Sequence, residues 1–216
     1  MLIDALILAG GRSSRLDSVA KARLRYEGHT LLERTVAAVS SLRNAVVVGD
    51  VTEQALPPGL LVTLEDPPFG GPAAGIGAGL ASLAAADPTA SDYTIVLACD
   101  MPNIGAAVPL LLSALADGDG KHAANRADED AIGDGLIAVD SEHRLQPLAA
   151  AYRTGALRGA VARQRGAGSL SGLSVFQLIR ELRLREIAVP GEATSDIDTW
   201  TDADRWGIGR PPLGTT

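Results

Sequence analysis

The sequence predicts an α/β fold in which helices cover both faces of a mostly parallel β-sheet, a three-layer α/β/α arrangement. Short apolar runs alternate in regular order with segments of helical periodicity, as in repeated strand–helix–strand units. Most of these runs are continuously apolar, which is typical of strands buried on both faces. With 46% hydrophobic residues among 216, the chain has enough apolar surface for one large core. We expect a single domain over residues 1–210 and a flexible tail at 211–216.

The strands are predicted from the apolar runs and from the turn residues that end them. The first run, IDALIL at residues 3–8, stops at Gly10 and Gly11. Further strands are predicted at residues 44–49, 60–65, 93–99, 136–139, 148–152 and 185–189.

The helices are predicted from apolar positions that recur every three to four residues. Residues 31–42 carry this period, and Thr30 with Glu33 three positions later matches a capping box. Further helices are predicted at residues 72–86, from 109 through 116, and at 157–165, 170–182 and 201–206.

Composition excludes several classes of protein. The net charge is −7, from 19 basic and 26 acidic residues, so the chain lacks the basic surface that binds nucleic acid. Its single cysteine, Cys99, permits no internal disulfide and no cysteine-built zinc site. The apolar run at residues 5–9 is too short for a membrane span or a signal peptide. We therefore expect a cytoplasmic protein without a membrane or nucleic-acid partner.

The loop after the first strand has the residues of a phosphate-binding turn. Ligands of an open parallel sheet bind beyond the carboxyl ends of its strands. Gly10 and Gly11 let the backbone approach phosphate oxygens, and Arg12, Arg15 and Lys21 add positive charge. A polyphosphate ligand explains this pattern, and a solvated surface turn is the alternative.

Other phosphate and nucleophile motifs fit less well. No GxxxxGK[ST] string occurs, and Gly75-Ile76-Gly77-Ala78-Gly79-Leu80 ends in leucine and follows no strand, so it is not a dinucleotide-binding loop. Ser13 and Ser14 lack the companions of a catalytic serine and are interpreted as phosphate-loop donors.

Acidic residues follow two of the predicted strands. Asp100 comes directly after the strand at residues 93–99, where a carboxylate can hold Mg²⁺ together with substrate phosphates; capping of the next turn is the alternative. Asp196 and Asp198 come late in the chain and can supply a second carboxylate. Alternatively, Asp198 or Thr199 is the N-cap of the helix that follows.

These segments together resemble the MobA-like nucleotidyltransferases, and within them the molybdenum cofactor guanylyltransferases. Six landmarks carry the resemblance in order between residues 3 and 206. They are LAGG-x-S-x-R with Lys21 and the Gly28, Leu31, Leu32 segment; Glu65-Asp66; Gly71-Pro72-Ala73-Ala74-Gly75-Ile76; Cys99-Asp100-Met101-Pro102; Gln146-Pro147-Leu148 with Tyr152-Arg153; and Asp196-Ile197-Asp198-Thr199.

The resemblance implies a Rossmann-like fold of the nucleotide-diphospho-sugar transferase type and a role for each matching residue. The catalytic residues are Arg15, Lys21 and Asp100, with Mg²⁺ held by Asp100 and by Asp198 or Asp196. The strand at Gln146-Pro147-Leu148 faces the pterin acceptor. The nucleotide-binding residues are Leu8, Ala9, Gly10, Gly11, Arg12, Ser13, Lys21, Asp66, Pro72 and Gly75.

The implied reaction is transfer of GMP from GTP to the molybdenum–molybdopterin cofactor with release of pyrophosphate. Transient contact with cofactor-carrier proteins accompanies this role. Three positions depart from the family pattern, namely Asp17, Ala20 and Gly49. They leave two alternatives open: a cytidylyl- or sugar-phosphate nucleotidyltransferase, and a nucleotide-binding regulatory module without catalysis.

Overall fold

A computed structural model of the chain describes residues 1–10, 16, 19–51, 56–122 and 132–210. Seven strands form one sheet in the order β5-β4-β1-β6-β8-β7-β9, and two short strands form a separate hairpin. The sheet strands are β1 (Ile3–Leu8), β4 (Asn44–Val48), β5 (Leu61–Thr63), β6 (Tyr93–Ala98), β7 (Gly135–Val139), β8 (Leu145–Arg153) and β9 (Leu184–Ala188), and the hairpin strands are β2 (Arg25–Tyr26) and β3 (His29–Thr30).

Helices lie on both faces of this sheet. They are α1 (Leu31–Ala38), α2 (Pro72–Ala86), α3 (Val108–His122), α4 (Thr154–Ala167), α5 (Val175–Ile179) and α6 (Trp200–Arg205). Helices α1 and α3 pack in one buried apolar cluster, and α2, α4 and α5 pack in a second. The three-layer α/β/α fold is therefore confirmed.

Strand β1 lies in the middle of the parallel part of the sheet because all but one of its side chains are apolar, with apolar residues on both faces. Ile7 packs in the cluster of α1 and α3, and Leu6 packs in the cluster of α2. Strands β4 and β6 pair with β1 in parallel, so that Leu8 lies opposite Val48 on one side and Ala98 on the other. The ends of these three strands therefore meet at one edge of the sheet.

Strand β8 is antiparallel to both of its neighbours. Only five residues, 140–144, connect it to β7, and a parallel crossover needs a dozen or more. The loop length thus determines its direction, and the start of β8 lies at the same edge as the ends of the parallel strands.

Several elements differ from the prediction: α1 ends at Ala38 and not at residue 42, β5 is shorter and β8 longer than predicted, and two further differences have a clear local cause. The helix predicted at residues 170–182 is confined to Val175–Ile179, because Gly172 has a φ of 78° and Ser174 starts the helix in a capping box with Gln177. The β2–β3 hairpin was not predicted, since strands of two residues carry no periodicity; positive φ at Glu27 and Gly28 makes its tight turn. The Thr30–Glu33 capping box is confirmed.

A third, smaller apolar cluster joins the N-terminal and C-terminal parts of the chain. Its buried members are Leu16, Leu24, Leu31, Ile197, Ala203 and Ile208. Tyr26 and Trp206 pack edge to face beside it, with ring centroids 5.3 Å apart. This cluster holds residues near 21 against residues near 198. Within the described residues, no helix is both long and apolar enough to cross a bilayer.

Candidate functional site

One lysine and two aspartates meet at the carboxyl edge of the sheet. Lys21 Nζ donates hydrogen bonds to Asp100 Oδ2 at 2.8 Å and to Asp198 Oδ1 at 2.5 Å. The side chains of Lys21 and Asp100 are each 21% exposed, whereas that of Asp198 is 50% exposed. The structure thus brings together three of the residues that the sequence singled out.

Each member of this group is placed by its local structure. Asp100 follows the buried strand β6, and its carbonyl oxygen accepts a hydrogen bond from the backbone N–H of Ile197 at 3.0 Å. Thr199 is the N-cap of α6 and forms a capping box with Asp202. Asp198 is therefore not needed as the cap, and its carboxylate faces Lys21.

Asp196 completes a cluster of three carboxylates. One oxygen each from Asp100, Asp196 and Asp198 lie within 4.8 Å of one another. Asp196 is exposed at the mouth of the site, but partial desolvation of its carboxylate, followed by the negative charges of Asp100 and Asp198, raises its pKa. Burial by itself lowers the pKa of Lys21; the charges and hydrogen bonds of Asp100 and Asp198 outweigh this effect and raise the pKa above its ordinary value.

The donor set fits a hard divalent cation. Mg²⁺ prefers carboxylate oxygens from one or two side chains and completes its shell with water and substrate phosphates. Asp100, Asp196 and Asp198 supply such oxygens close together. The sequence left open whether Asp196 or Asp198 is the second metal ligand. Both carboxylates reach the cluster with Asp100.

A cavity of about 280 Å³ opens beside the loop that follows β1. Four of the residues proposed to bind the nucleotide line it, namely Leu8, Gly10, Pro72 and Gly75. Glu65, Phe69 and Leu148 also line it, and the sequence reasoning did not assign them to the nucleotide. Asp66, which was also proposed to bind the nucleotide, is exposed. It lines a separate cleft along α2, together with Arg165.

The backbone of this loop is held tightly against the sheet. The N–H of Ala9 donates to the carbonyl oxygen of Val48 at 2.8 Å, and the carbonyl oxygen of Leu8 accepts from the N–H of Cys99 at 3.0 Å. These two hydrogen bonds fix the backbone of Leu8, which lines the cavity, and of Ala9 against β4 and the end of β6. Gly11, Arg12, Ser13 and Arg15 lie outside the described residues, as does Asp17.

Gly49 explains one departure from the family pattern. Its φ is 148°, and a Cβ atom here would lie 2.7 Å from the carbonyl carbon of Ala9 and 2.8 Å from the nitrogen of Gly10. The loop after β1 passes so close to the loop after β4 that only glycine fits. In this chain, a side chain at position 49 is therefore excluded by the position of the first loop.

Cys99 has no chemical role in this arrangement. Its thiol is buried, and burial raises its pKa well above the ordinary value. A protonated thiol within the core is unreactive, which agrees with its interpretation as a small apolar residue.

Residues 5–181 match the family described as the MobA-like NTP transferase domain. A protein of Opitutus terrae named "Probable molybdenum cofactor guanylyltransferase" is 34% identical over 205 residues, which cover 92% of each chain. A protein of the same name from Clostridium perfringens strain SM101 is 31% identical over 150 residues, 69% of this chain and 65% of that protein. The aligned part thus spans just under two thirds of this Clostridium relative.

The crystal structure titled molybdopterin-guanine dinucleotide biosynthesis protein A, from Archaeoglobus fulgidus, shares the fold. It aligns with a TM-score of 0.62 at 20% identity and covers 94% of this chain and 96% of that one. This likeness confirms the nucleotide-diphospho-sugar transferase type of fold. Since the family match extends from residue 5 to residue 181 and the Opitutus relative is similar over nearly the whole chain, this chain belongs to the family of MobA-like NTP transferases.

Proposed function

We propose that the chain is a nucleotidyltransferase that transfers GMP from GTP to the molybdenum–molybdopterin cofactor and releases pyrophosphate, with Mg²⁺ as the metal ion. The observation that carries the proposal is the meeting of Lys21 with Asp100 and Asp198 at the same edge of the sheet as the cavity that Leu8 lines. Family membership and the printed names of the relatives support the same reaction.

The reaction requires two polyanions to be brought together in line. A terminal phosphate oxygen of the acceptor attacks the α-phosphorus of GTP, a new P–O bond forms, and the bond from that phosphorus to the bridging oxygen breaks. The electron pair leaves with pyrophosphate. No general base is needed, because a phosphate monoester has a second pKa of about 6 and is largely ionised near neutral pH.

The side chains of this site are suited to holding and neutralising the phosphates. The nucleoside would lie in the cavity of Leu8, Gly10, Pro72 and Gly75, with its phosphates directed to Lys21. The Lys21 ammonium would bind the triphosphate and stabilise the charge that develops on pyrophosphate. Fixed donors of this kind act mainly through charge stabilisation and alignment.

Asp100, with Asp196 and Asp198, would hold the magnesium ion. When bound, the ion supplies charge neutralisation and orientation of the phosphate oxygens. Arg15 and the other residues of the first loop are proposed to complete the triphosphate site.

Pyrophosphate release from GTP in the presence of the acceptor and Mg²⁺ tests the proposal. We expect Lys21→Ala and Asp100→Asn each to lower kcat by about 10²–10³, while far-ultraviolet circular dichroism stays unchanged. The matched control is Asp204→Asn, which neutralises an exposed carboxylate on α6 outside the site and should leave the rate unchanged. Near-normal turnover of either site variant would overturn the assignment.

The same assay with CTP, ATP and UTP examines the nucleobase. The nucleotide that is used should also give the largest rise in melting temperature in the presence of Mg²⁺, because a ligand that binds only the folded state stabilises it by mass action. A preference for CTP would point to a cytidylyltransferase, and absence of pyrophosphate with every nucleotide and acceptor would point to a regulatory module.

A further inference from the structure

Arg34 lies at a junction of the segments that carry the site residues. Its side chain is only 23% exposed, although helix α1, to which it belongs, carries none of Lys21, Asp100 and Asp198. Those three residues come from the turn before the β2–β3 hairpin, the loop after β6 and the approach to α6. The contacts of Arg34 bear on how these segments are held relative to one another.

The first contact is with the loop after β6. Arg34 Nε donates a hydrogen bond to the carbonyl oxygen of Pro102 at 2.9 Å. Pro102 is buried and comes two residues after Asp100. Because proline has no backbone N–H, its carbonyl oxygen is the only main-chain group by which a hydrogen bond can hold it. The same loop is also held at Asp100, whose carbonyl oxygen accepts from the N–H of Ile197 at 3.0 Å.

The second contact of the same guanidinium is with the β2–β3 hairpin. Arg34 Nη1 donates to Glu27 Oε2 at 3.0 Å, and Arg34 Cζ lies 4.6 Å from the centre of the Tyr26 ring. A planar guanidinium can donate hydrogen bonds in its plane while an aromatic ring packs against its face. The hairpin begins four residues after Lys21. Arg34 therefore connects the segment that follows Lys21 with the loop that carries Asp100.

Tyr26 extends this connection to α6. Its ring packs edge to face on Trp206, with the ring centroids 5.3 Å apart, and Trp206 directly follows α6. Asp198 lies two residues before the same helix begins. The third apolar cluster packs these segments together, but apolar contact is non-directional. The hydrogen bonds of Arg34 add the directional contacts that fix one arrangement.

Arg34 lies apart from the proposed position of the nucleoside. Together with Pro102 it lines a cleft of about 420 Å³ between α1 and the segment after β6. The residues described as lining this cleft include none of those that line the cavity of Leu8 and Gly75. A substitution at Arg34 should therefore change the geometry of the carboxylates and leave the nucleoside contacts in place.

We propose that Arg34 is a positioning residue for Asp100. By tying Pro102 to the hairpin, it sets where the Asp100 carboxylate lies relative to Lys21. It acts through the backbone of the loop and is not a catalytic residue. The inference rests on the proposed function, in which Asp100 holds Mg²⁺. Groups that orient a metal ligand from behind contribute about 10–100-fold in metal affinity or activity; Arg34 acts through two intervening residues, so we expect about tenfold.

Mn²⁺ affinity, measured by electron paramagnetic resonance, tests the positioning role without catalysis. The titration uses the Lys21→Met background, because the Lys21 ammonium is bonded to Asp100 and Asp198 and would compete with the metal. Arg34→Lys keeps the positive charge but lacks the planar group that holds Pro102 in its plane and a ring against its face. We expect this substitution to raise the Kd for Mn²⁺ about tenfold.

Steady-state kinetics supply the second measurement. In the chain that retains Lys21, Arg34→Lys should lower kcat for pyrophosphate release about tenfold, while the KM for GTP at saturating Mg²⁺ stays unchanged. Glu27→Gln perturbs Arg34 from a side chain that is 64% exposed, so the fold tolerates it. It should produce the same two changes at about twofold, as expected for an exposed ion pair.

Arg43→Lys is the matched control. The Arg43 side chain is 20% exposed and donates to both carboxylate oxygens of the buried Asp4, at 2.9 and 2.7 Å. This pair lies at the opposite edge of the sheet, where β1 begins. Arg43→Lys should lower the melting temperature at least as much as Arg34→Lys, with the Mn²⁺ affinity and kcat unchanged.

The outcomes separate this role from the transferase proposal. If Arg34→Lys and Glu27→Gln bind Mn²⁺ and turn over as their parent chains do, the positioning role is overturned, and the transferase proposal stands if the wild type releases pyrophosphate. A raised KM for GTP at unchanged kcat would also overturn it, because Arg34 would then bind the nucleotide. If Arg34→Lys weakens Mn²⁺ binding but the wild type releases no pyrophosphate, the positioning role stands and the transferase proposal fails.

Discussion

Lys21→Met should make the protein bind a divalent cation more tightly in the absence of nucleotide. In the structure the Lys21 ammonium lies between Asp100 and Asp198 and satisfies both carboxylates. A cation entering the cluster of Asp100, Asp196 and Asp198 must compete with this ammonium. Methionine keeps the length of the side chain and removes the charge, so the variant leaves the carboxylates free for the metal.

The size of the effect follows from the exposure of the pair. Lys21 and Asp100 are each 21% exposed. The free energy lost when this pair is broken should therefore lie between that of an exposed ion pair, about 0.2–1 kcal/mol, and that of a buried one, about 3–5 kcal/mol. We take about 2 kcal/mol and give little weight to Asp198, which is 50% exposed and screened by solvent. Without metal, Lys21→Met should melt about 4–8 °C lower than the wild type.

Mn²⁺ titration followed by electron paramagnetic resonance measures the affinity, and thermal unfolding with and without Mg²⁺ measures the stability. We expect Mn²⁺ to bind Lys21→Met roughly thirtyfold more tightly, since about 2 kcal/mol corresponds to about one and a half factors of ten at about 1.4 kcal/mol each. Addition of Mg²⁺ should raise the melting temperature of the variant by more degrees than that of the wild type.

The double variant Lys21→Met/Asp198→Asn provides the control. Removing one of the repelling carboxylates should recover part of the lost stability and reduce the gain in metal affinity. Asp198→Asn alone completes the double-mutant cycle, which isolates the coupling energy between Lys21 and Asp198. If Lys21→Met has the melting temperature of the wild type and binds Mn²⁺ no more tightly, the Lys21 ammonium does not compete with the metal for these carboxylates.

Two further predictions concern the loops that shape the site. Gly49→Ala should lower both the melting temperature and the affinity for GTP, because the new Cβ meets the backbone of Ala9 at 2.7 Å. Thermal shift and titration measure the two effects. The control is Gly59→Ala, which adds only backbone strain at a φ of 86°, with no atom within 4 Å of the new Cβ, and should leave GTP binding unchanged. Asp140→Asn should lower the free energy of unfolding in urea at pH 7. The backbone hydrogen bond from Arg144 holds the folded-state pKa of Asp140 below its ordinary value of 3.8. Its charge therefore stabilises the fold above that value, and this contribution is lost as the pH falls through the folded-state pKa. The difference in free energy of unfolding between wild type and variant should thus become smaller in acid. An equal gap at pH 7 and in strong acid would contradict this reasoning.

Local sequence was sufficient to predict much of the framework. Strand β1 and helix α2 have the predicted bounds, and the Thr30–Glu33 capping box forms as expected. Asp100 was predicted as a site residue because it follows a buried strand. Each of these signals lies within a short stretch of chain, where periodicity and capping chemistry act directly.

Long-range features needed the folded chain. The contact from Lys21 to Asp198 joins residues 177 positions apart, and it depends on the apolar cluster of Leu16, Leu24, Ile197 and their neighbours. Glu65 lines the cavity beside the first loop and Asp66 lines a separate cleft, and both placements depend on where α2 lies beside β5.

The sequence by itself determined the class of fold, the edge of the sheet where the candidate site lies and the residue types assembled there, because apolar periodicity and strand-end polarity are local properties of the chain. Only the tertiary structure decided which carboxylates contact the lysine. It also decided that position 49 must be glycine to leave room for the first loop, and that the Thr194 hydroxyl is buried without a hydrogen-bond partner among the described residues. Those outcomes depend on distances between segments far apart in sequence, which packing sets and no local pattern encodes.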